Sequence, residues 1–524
     1  MKNQHRIKIV ILALTSLTMI YACQPEETSI AENVSYNEIH RPQFHFSPKE
    51  MWMNDPNGMV FDGKEYHLFY QYNPNDVVWG PMHWGHAVSS DLVHWNHLPV
   101  ALYPDSLGTI FSGSAVLDEQ NTSGLGSEDN PPLVAIYTYH DTLKASAGRN
   151  DYQTQGLAFS IDAGRTWEKY KRNPIVHNPG IIDFRDPKVF WYEPAREWLM
   201  ILAVKDHVEF YSSPNLIDWK KRGEFGQEFG SHGGVWECPD LFPLVVDGED
   251  TRKWVMIVSI NPGGPNGGSA TQYFVGDFDG VQFTCDSDPA NVSWLDYGPD
   301  NYAGVTWSNT PDNRRLFLGW MSNWAYANQV PTNPWRSANT IPRELYLARI
   351  GGSLHVRSKV VPELKNIISS GKSFPSILLS DSIDLTVGLD FDVSTSILDG
   401  VIDADDFGIE LSNSIGQRLR VGYSSGENQF FVDRGNAGND FSEKFNPVSY
   451  APRMASDRKI RFSLVVDVSS IEVFFDDGTT VMTSLFFPDQ KFDRLKIFAD
   501  AKPLTVDSLS IREVSSIWSV NKPE

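Results

Sequence analysis

Five apolar, strand-like runs recur between residues 41 and 350, and each follows a polar turn. Their lengths and their β-branched and aromatic content are typical of buried strands, and helical periodicity is almost absent. The starts fall roughly every 60 residues, as expected of a repeated sheet unit with long loops. The runs are KEYHLFYQ (64–71), LVAIYTYH (133–140), EWLMILAV (197–204), KWVMIVSI (253–260) and RRLFLGWM (314–321). They predict an all-β fold with a five-bladed β-propeller over residues 41–350, with an irregular β-sandwich as the alternative.

The pattern changes after residue 350. Residues 351–372 contain the Pro, Ser and Gly typical of a connector. From 373 to 520, shorter runs alternate apolar and polar positions, as half-buried strands do. These runs are DLTVGLDFDV (384–393), FGIELSN (407–413), IRFSLVVDVSSIEVFFDDG (460–478) and RLKIFAD (494–500). They predict a C-terminal β-sandwich with a hairpin around residues 467–470.

Residues 1–22 are predicted to be a targeting segment rather than a folded element. A basic start precedes an apolar run at 9–20 that is too short to cross a membrane with normal flanks. A small residue then precedes Cys23, so the segment resembles a bacterial lipoprotein signal with Cys23 as the lipid-bearing residue. A plain secretory signal and an uncut membrane anchor are the alternatives. The polar stretch 23–40 is expected to form a flexible tether.

The composition narrows the classes of partner. The chain of 524 residues has a formal net charge of −22. Nucleic acids and anionic membrane surfaces require a basic face, so this charge argues against both. A neutral carbohydrate fits it, although acidity also serves solubility alone. Besides Cys23 the chain has Cys238 and Cys285, which are expected to be free thiols because a disulfide would constrain the string around Cys238.

Four short strings bring carboxylate, amide and aromatic groups together: WMNDPNG (52–58), FSGSAV (111–116), FRDPKVF (184–190) and WECPDLF (236–242). Cleaving a glycosidic bond with retention needs an ionised carboxylate as nucleophile and a protonated one as acid, about 5–5.5 Å apart. A third carboxylate can bind the hydroxyls of the sugar. Asp55, Glu237 and Asp186 could fill these three positions if the fold gathers them.

Each of the three acids also has a simpler interpretation. The string around Asp55 suits a tight turn whose asparagines orient a charged carboxylate, but it is equally typical of a surface turn. The apolar neighbours of Glu237 favour the protonated form that a proton donor needs, and the alternative is a buried acid paired with an arginine. Asp186 follows Arg185, so it is either a structural ion pair or a clamp on sugar hydroxyls.

Taken together, the strings resemble glycoside hydrolase family 32, the β-fructosidases that include invertases, inulinases and levanases. The resemblance covers nearly the whole mature chain and keeps the motif order of the family. Further matching strings are YHLFYQYNP (66–74), WGHAVSSDLVHW (84–95), ATQYFVGDFDG (270–280), DYGPDNYAG (296–304), LGWMSNW (318–324) and PWRSANTIPREL (334–345). The family fold is a five-bladed propeller followed by a β-sandwich, in agreement with the repeat count. Val468 and Gly156 depart from the family pattern, in which Arg and Ser are common at these positions.

The resemblance implies a role for each acid. Asp55 would be the nucleophile, Glu237 the general acid and then base, and Asp186 the group that stabilises the transition state through fructose hydroxyls. It also implies a fructose subsite lined by Trp52, Asn54, Gln71, Trp79, Phe111, Ser112, Arg185, Tyr302 and Trp320. Neither a cofactor nor a metal is expected, and the acidic turn at 399–406 does not match a calcium loop.

The expected function is therefore that of an exported, lipid-anchored β-fructosidase. It would release terminal fructose from levan, inulin and sucrose through a covalent fructosyl-enzyme. An endo-acting levanase or inulinase and a transfructosylase share every motif and stay open. The alternative from another class is a non-catalytic fructan-binding lipoprotein, although a binder has no need of all three acids. The expected partners are a carbohydrate substrate and a membrane lipid, and not nucleic acid.

Overall fold

A computed structural model describes residues 36–438, 441–500 and 502–518. The predicted signal segment, Cys23 and most of the predicted tether lie outside these ranges. Within them, no helix is long and apolar enough to cross a membrane.

The first three blades are each built on four consecutive antiparallel strands. Blade 1 consists of β1 (Met51–Phe61), β2 (Tyr66–Asn73), β3 (His83–Ser89) and β4 (Asn96–Leu102). Blade 2 consists of β5 (Thr109–Leu117), β6 (Leu133–His140), β7 (Gln153–Ser160) and β8 (Glu168–Lys169), with the short helix α1 (Thr142–Ser146) after β6. Blade 3 consists of β9 (Phe184–Tyr192), β10 (Glu197–Val204), β11 (His207–Ser213) and β12 (Lys220–Phe225).

Two larger sheets complete the propeller. Blade 4 consists of β13 (Val235–Val245), β14 (Arg252–Asn261), β15 (Ala270–Phe278), β16 (Phe283–Cys285) and β17 (Ser293–Trp294). Blade 5 consists of β18 (Tyr302–Thr306), β19 (Leu316–Met321), β21 (Ala338–Asn339), β22 (Arg343–Ile350) and β23 (Ser353–Val360), with 3-10 turns at Pro311–Asn313 and Ala327–Gln329. Strand β20 (Trp335–Arg336) leaves this region and pairs in parallel with β1 of blade 1. The late chain segment thereby closes the ring against the first blade.

The five apolar runs of the sequence are the second strands of the five blades, β2, β6, β10, β14 and β19, which confirms the predicted propeller. These strands are buried along almost their whole length because neighbouring blades cover them on both faces. The first strands, β1, β5, β9, β13 and β18, contact one another in a closed ring around the axis. Residues on the first strands can therefore meet at either end of that axis.

The C-terminal part of the chain is a β-sandwich of two sheets. One sheet contains β24 (Ile368–Phe374), β25 (Ile377–Leu379), β27 (Ser396–Asp403), β32 (Lys459–Asp467), β33 (Ser470–Phe475), β34 (Thr480–Leu485) and β36 (Leu504–Val514). The other contains β26 (Ser382–Asp384), β28 (Phe407–Ser412), β29 (Arg418–Ser424), β30 (Gln429–Asn436), β31 (Val448–Pro452) and β35 (Arg494–Ala499). The predicted hairpin is β32–β33, where Asp467 pairs with Ser470.

The structure differs from the sequence prediction in two details. The run 384–393 is not a strand beyond Asp384, because Asp384 Oδ1 accepts a hydrogen bond from the backbone of Thr386 and Gly388 has a φ of +76°. The connector predicted at 351–372 begins about ten residues too early. Strand β23 pairs with β22 through Val360, and a 3-10 turn at Pro362–Ile367 follows it before the sandwich starts.

Buried ions join the propeller to the sandwich. His45 lies before the first blade, with Nδ1 2.8 Å from Asp467 and Nε2 2.9 Å from Glu472 of the sandwich. Arg343 of blade 5 contacts Glu472 and, at 2.9 Å, Asp296. We call these five residues the interface ion cluster. Each of its carboxylates touches a cation, which offsets the cost of burying them.

The two departures from the family pattern also have a place in the structure. Val468 is 4% exposed at the turn between β32 and β33, where its backbone N–H donates to Asp467 at 2.7 Å. At Gly156 an added Cβ would lie 2.4 Å from a ring carbon of Tyr139. A serine at 156 would therefore require this buried tyrosine to move.

Candidate active site

Every first strand carries a β-bulge near its start, in which two residues face one residue of the second strand. A bulge bends its strand and changes the direction of its side chains. The bulges lie at residues 54–55, 111–112, 186–187, 238–239 and 303–304. Each bulge either contains or is directly followed by Pro or Gly, so the sequence marks the positions at which the sheets become irregular. All three candidate acids lie within a bulge or directly before one.

Three of the bulges hold a non-glycine residue in the left-handed region. The φ angles are +63° at Asp186, +46° at Cys238 and +54° at Ala303. Each such residue costs about 1–3 kcal/mol and persists only where its surroundings enforce it. The strain is concentrated at the end of the axis where the acids meet.

Asp55 is held by neutral hydrogen-bond donors. Asn54 Nδ2 donates to Oδ1 at 3.0 Å, and Ser112 Oγ of blade 2 donates to Oδ2 at 2.6 Å. The Asn54 side chain is oriented in turn by Trp52, whose Nε1 donates to its Oδ1 at 2.7 Å. Burial raises the pKa of Asp55 and the charge of Glu237 adds to the rise, while the hydrogen bonds oppose it.

Asp186 lies deeper and is 5% exposed. Its Oδ2 accepts the backbone N–H of Cys238 at 3.0 Å, and its own backbone N–H donates to Thr138 Oγ1 at 2.9 Å. The Cys238 thiol lies between two acids, 3.5 Å from Asp55 Oδ2 and 3.7 Å from Asp186 Oδ2. Burial raises the pKa of Asp186 to about 7, Arg185 opposes the shift, and the charges of Glu237 and Asp55 add to it.

Glu237 faces polar groups rather than the apolar surroundings expected from its sequence neighbours. Its Oε1 accepts from Arg185 Nη2 at 2.7 Å and from Nε at 3.2 Å, and its Oε2 accepts from the Tyr302 hydroxyl. Its sequence neighbours Trp236 and Cys238 are buried. The arginine pairing considered as an alternative for Glu237 is therefore present within the site.

Glu237, Asp186 and Asp183 surround one guanidinium. Arg185 contacts Glu237 and Asp183, and its Nε lies 3.9 Å from Asp186 Oδ2. Burial opposes ionisation of Arg185, but the charges of Glu237, Asp186 and Asp183 hold its pKa well above the ordinary value. One cation cannot offset three carboxylates, so the pKa of Asp186 stays raised although Arg185 opposes the shift.

These groups line a cavity of about 360 Å³, which we call the catalytic pocket. A pocket of this size accepts a single sugar ring together with its immediate neighbour. Its lining residues are Asn54, Asp55, Gln71, Trp79, Phe111, Ser112, His140, Tyr152, Gln153, Asp183, Arg185, Asp186, Glu237, Asn261 and Trp324. Six of the nine substrate-contact residues expected from the sequence are among them: Asn54, Gln71, Trp79, Phe111, Ser112 and Arg185.

The other three expected contacts, Trp52, Tyr302 and Trp320, lie behind the pocket wall. They are only 0%, 1% and 0% exposed, respectively, so they support pocket residues instead of facing the cavity. Trp52 orients Asn54, and Tyr302 donates to Glu237. Trp320 packs 4.8 Å from Trp324, between ring centroids.

Several lining residues were not expected from the sequence. His140 ends the run 133–140 and stacks on Phe111, with ring centroids 4.3 Å apart. Burial lowers the pKa of His140 to about 4, so the imidazole is neutral at physiological pH. Asp183 is two residues before Arg185, and this alternation was a usable signal for a shared face. Tyr152, Gln153 and Asn261 come from loops and strand ends that carry no comparable pattern.

Among the described residues, one group of side chains comes close enough to hold a metal ion: His207, Glu209 and Glu224 of blade 3. Lys221 Nζ lies 2.6 Å from Glu209 and 2.8 Å from Glu224. The lysine already supplies the positive charge that these carboxylates need, so the group is better described as an ion pair network.

Family models match both parts of the chain. The glycosyl hydrolases family 32 N-terminal domain matches residues 45–358, and the family 32 C-terminal domain matches residues 353–513. A levanase of Bacillus subtilis (strain 168) is 47% identical over 521 residues, which cover 98% of this chain and 75% of the levanase. An extracellular exo-inulinase of Aspergillus awamori is 38% identical over 519 residues, which cover 93% of this chain and 96% of that enzyme.

Solved structures agree with the fold and with the family. The exo-inulinase of Aspergillus awamori has a TM-score of 0.84 at 35% identity, covering 92% of this chain and all of that one (100%). The fructofuranosidase of Schwanniomyces occidentalis with fructosylnystose bound has a TM-score of 0.84 at 34% identity, covering 91% of this chain and 98% of that one. The two-domain architecture, the converging acids and these matches together establish that the chain belongs to glycosyl hydrolases family 32.

Proposed function

We propose that this enzyme is a retaining β-fructosidase that removes terminal fructose units from β-fructans such as levan and inulin, and from sucrose. The observation that carries the proposal is the convergence of Asp55, Asp186 and Glu237 from three blades on one pocket of about 360 Å³. Names of relatives across nearly the full chain, levanase and exo-inulinase, support the same substrate class.

Asp55 is the proposed nucleophile. Ser112 and Asn54 hold its two oxygens with neutral donors, and no cationic side chain in the described part of the chain forms an ion pair with it. One Asp55 oxygen forms a bond to the anomeric C2 of fructose while the bond from C2 to the leaving oxygen breaks. The product of this step is a fructosyl ester on Asp55, which splits one difficult displacement into two.

Glu237 is the proposed general acid and base. In the first step its proton passes to the leaving oxygen, and in the second it takes a proton from the water that attacks C2 and releases Asp55. Two displacements at C2 give net retention. Arg185 and Tyr302 fix both oxygens of Glu237, which limits its carboxyl group to one orientation.

Asp186 is the proposed clamp on fructose hydroxyls. Its buried carboxyl accepts the Cys238 backbone N–H, and the remaining acceptor capacity is available to hydroxyl groups in the pocket. Hydrogen bonds of this kind strengthen as positive charge develops on the sugar ring, so they favour the transition state over the bound substrate.

Export with a lipid on Cys23 completes the proposal. It rests on the basic, apolar and Cys-ending pattern of the first 23 residues, and on relatives that are named extracellular enzymes. Full-length protein should partition with membranes and take up labelled fatty acid, and Cys23→Ser should abolish both. Unchanged labelling of that variant would contradict the assignment.

Product analysis tests the proposed activity. On levan, inulin and sucrose, free fructose should be the first product from each chain end. Early fructo-oligosaccharides would indicate endo action, growth of fructan chains at high sucrose would indicate transfer, and binding without any product would indicate a non-catalytic protein. Asp55→Ala should abolish hydrolysis, with partial rescue by azide as a replacement nucleophile.

A further inference from the structure

Side chains of blade 2 hold the backbone of β9 around Asp186. The Asp186 N–H donates to Thr138 Oγ1 at 2.9 Å, and the Thr138 hydroxyl donates to Gln155 Oε1 at 2.7 Å. Gln155 Nε2 in turn donates to the carbonyl of Phe184 at 2.9 Å. These three bonds form a loop that begins and ends on β9. We call Thr138 and Gln155 the blade 2 pair.

Strand β9 needs these partners because its ladder is interrupted at the bulge. Pairing with β10 holds Phe184 and Arg185 and resumes at Lys188, with a register shift between them. A buried N–H that leaves a ladder requires another acceptor, since an unpaired buried donor is costly. Asp186 is 5% exposed and both members of the blade 2 pair are fully buried, so this acceptor is a protein group rather than bulk water.

The blade 2 pair acts on a strained residue. The φ angle of Asp186 is +63°, in a region that an aspartate keeps only where its surroundings enforce it. Thr138 fixes the direction of the Asp186 N–H, and Gln155 fixes the carbonyl of Phe184. Two consecutive peptide planes before the Asp186 Cα are thus held. The direction in which the Asp186 carboxyl leaves the backbone depends on both planes.

The carboxyl of Asp186 is bound from the other side of the strand by blade 4. Its Oδ2 accepts the backbone N–H of Cys238 at 3.0 Å, and Cys238 is itself strained, with a φ of +46°. Asp186 is therefore tied to Thr138 through its backbone and to Cys238 through its side chain. Release of the backbone tie would shift the carboxyl relative to a sugar in the catalytic pocket.

A second strained bulge has the same arrangement. Ala303 has a φ of +54°, and its N–H donates to Ser259 Oγ at 2.9 Å. Ser259 Oγ lies 2.9 Å from Thr271 Oγ1. In both cases the hydroxyl belongs to the second strand of the preceding blade, and its side-chain partner belongs to the third strand of that blade. The recurrence associates these paired side chains with the strained bulges of the propeller.

We propose that Thr138 and Gln155 are positioning residues that keep the Asp186 carboxyl in place for the transition state. The lining of the catalytic pocket includes neither side chain, so they act through Asp186 rather than on the substrate. An interaction that strengthens in the transition state is lost mainly from kcat, so its displacement should lower kcat more than it raises KM. This inference rests on the proposed β-fructosidase function, because it takes the role of Asp186 from it.

Kinetics on sucrose and on short fructo-oligosaccharides test the proposal. Thr138→Val keeps the shape of the side chain and removes its hydroxyl. Its kcat should fall about tenfold to a hundredfold, as expected when a reacting group is displaced by about 1 Å, while KM stays within about threefold of wild type. Thr138→Ser keeps the hydroxyl and should recover most of the kcat. An unchanged kcat in Thr138→Val, or no recovery in Thr138→Ser, would overturn the proposal.

Gln155→Met gives an independent variant and keeps the test decisive if Thr138→Val does not fold. It removes the amide that orients the Thr138 hydroxyl and binds the Phe184 carbonyl, but Thr138 can still accept the Asp186 N–H. Its kcat should therefore fall by less than in Thr138→Val, by about threefold to tenfold. A kcat equal to that of wild type in folded Gln155→Met would contradict the role of the blade 2 pair.

A matched control lies at the other end of β7, in Ser160. Its hydroxyl accepts the backbone N–H of Gly164 at 2.9 Å and donates to Asp162 at 2.7 Å, so it makes the same two kinds of bond as Thr138. Ser160 is 3% exposed. Ser160→Ala should keep the wild-type kcat. If it lowers kcat as much as Thr138→Val does, general loosening of blade 2 explains the loss and the proposal fails.

Crystal structures of the variants decide the positioning without reference to the reaction. In Thr138→Val the Asp186 carboxyl should move by about 0.5 Å or more from its wild-type position, and in Ser160→Ala it should not. An unmoved carboxyl in Thr138→Val would refute the proposal. Wild-type enzyme that releases no fructose from fructan or sucrose would refute the proposed function, while the comparison of structures would still decide the positioning.

Discussion

Two buried carboxylates show opposite behaviour in this molecule. Asp55 in the catalytic pocket has a pKa raised by burial, whereas the pKa of Glu472 in the interface ion cluster is lowered even though burial acts to raise it. The difference lies in the partners. Glu472 contacts Arg343 and His45, while the partners of Asp55 among the described residues are hydroxyl, amide and thiol groups.

The interface ion cluster and the catalytic pocket differ in how far the charges of their carboxylates are neutralised. The interface ion cluster neutralises its carboxylates, and it accepts backbone N–H groups as well, such as those of Gln43 and Phe44 on Asp467. The catalytic pocket leaves its carboxylates short of positive charge and holds backbone strain at Asp186 and Cys238. Stability is favoured in the first region, and reactivity at the cost of stability in the second.

Neutral isosteres at the two sites should give opposite results, and the largest effect is expected at Asp55. Asp55→Asn should lower kcat/KM on fructan by about 10⁴-fold or more, because it removes the proposed nucleophile. Its thermal unfolding midpoint should not fall, because the variant removes a charge that burial disfavours. A combined loss of activity and stability, measured by product assay and calorimetry, would remove the contrast between the two regions.

Glu472→Gln should do the reverse. It leaves the charges of Arg343 and His45 buried with fewer partners, and the free energy of unfolding in urea should fall by about 3–5 kcal/mol. The kcat of the molecules that stay folded should remain within a few-fold of wild type. A stable Glu472→Gln enzyme with greatly reduced kcat would show that the interface serves catalysis rather than stability.

Because of the interface ion cluster, the stability of the protein should also fall at alkaline pH. Burial lowers the pKa of His45, but hydrogen bonds to Asp467 and Glu472 outweigh it and raise the pKa to about 9, from 6.5. Because the pKa of His45 is higher in the folded protein than in the unfolded one, its protonation stabilises the fold. This contribution is fully present below pH 6.5 and is lost as the pH rises through about 9. The loss should be about 3 kcal/mol.

Urea unfolding at pH 6, 7.5 and 9.5 measures this dependence. His45→Gln should be less stable at pH 6 and should show a flatter profile across the same window. If the wild type is equally stable at pH 6 and 9.5, the imidazole is not held as a cation between the two carboxylates.

The activity of the catalytic pocket should also depend on pH. We expect a smaller effect than the change in stability, in a lower pH range. The pKa of Asp186 is raised to about 7 by burial and by the charges of Glu237 and Asp55, so its carboxyl becomes fully charged only above that range. Because the proposed clamp stabilises positive charge on the sugar best as a carboxylate, kcat/KM should rise about tenfold per pH unit up to roughly 7 and then level off. A profile that is already flat from pH 5 would contradict this role of Asp186.

Much of the fold could be predicted from the sequence because it depends on burial. The five apolar runs are second strands, covered on both faces, and their composition alone identifies them. The run 384–393 was wrongly predicted to be a strand because its apolar and polar residues alternate as in a strand. In the structure Gly388 adopts a positive φ and turns the chain. The boundary near 350 was missed because β23 is an edge strand with exposed positions such as Ser353 and Lys359, which resemble a linker.

The three acids of the site could be predicted from the sequence, whereas the burial and pairing of the residues around them could be predicted less well. Asp55, Asp186 and Glu237 lie in strings with Pro or Gly, which mark the bulges that bring them together. Burial depth could not be obtained from those strings, so Trp52 and Tyr302 were expected at the surface of the pocket and instead support it from behind. The pairing of Glu237 with Arg185 depends on two blades meeting, which no local pattern encodes.

The most direct test of the central claim is to trap the covalent intermediate. Glu237→Ala, supplied with a β-fructoside that has a good leaving group, should form the ester and hydrolyse it slowly, since the base for the second step is absent. Peptide mass spectrometry of the quenched reaction should find one hexosyl unit on Asp55. A hexosyl unit on another residue, or no adduct together with a product of inverted configuration, would contradict the assignment of Asp55 as nucleophile.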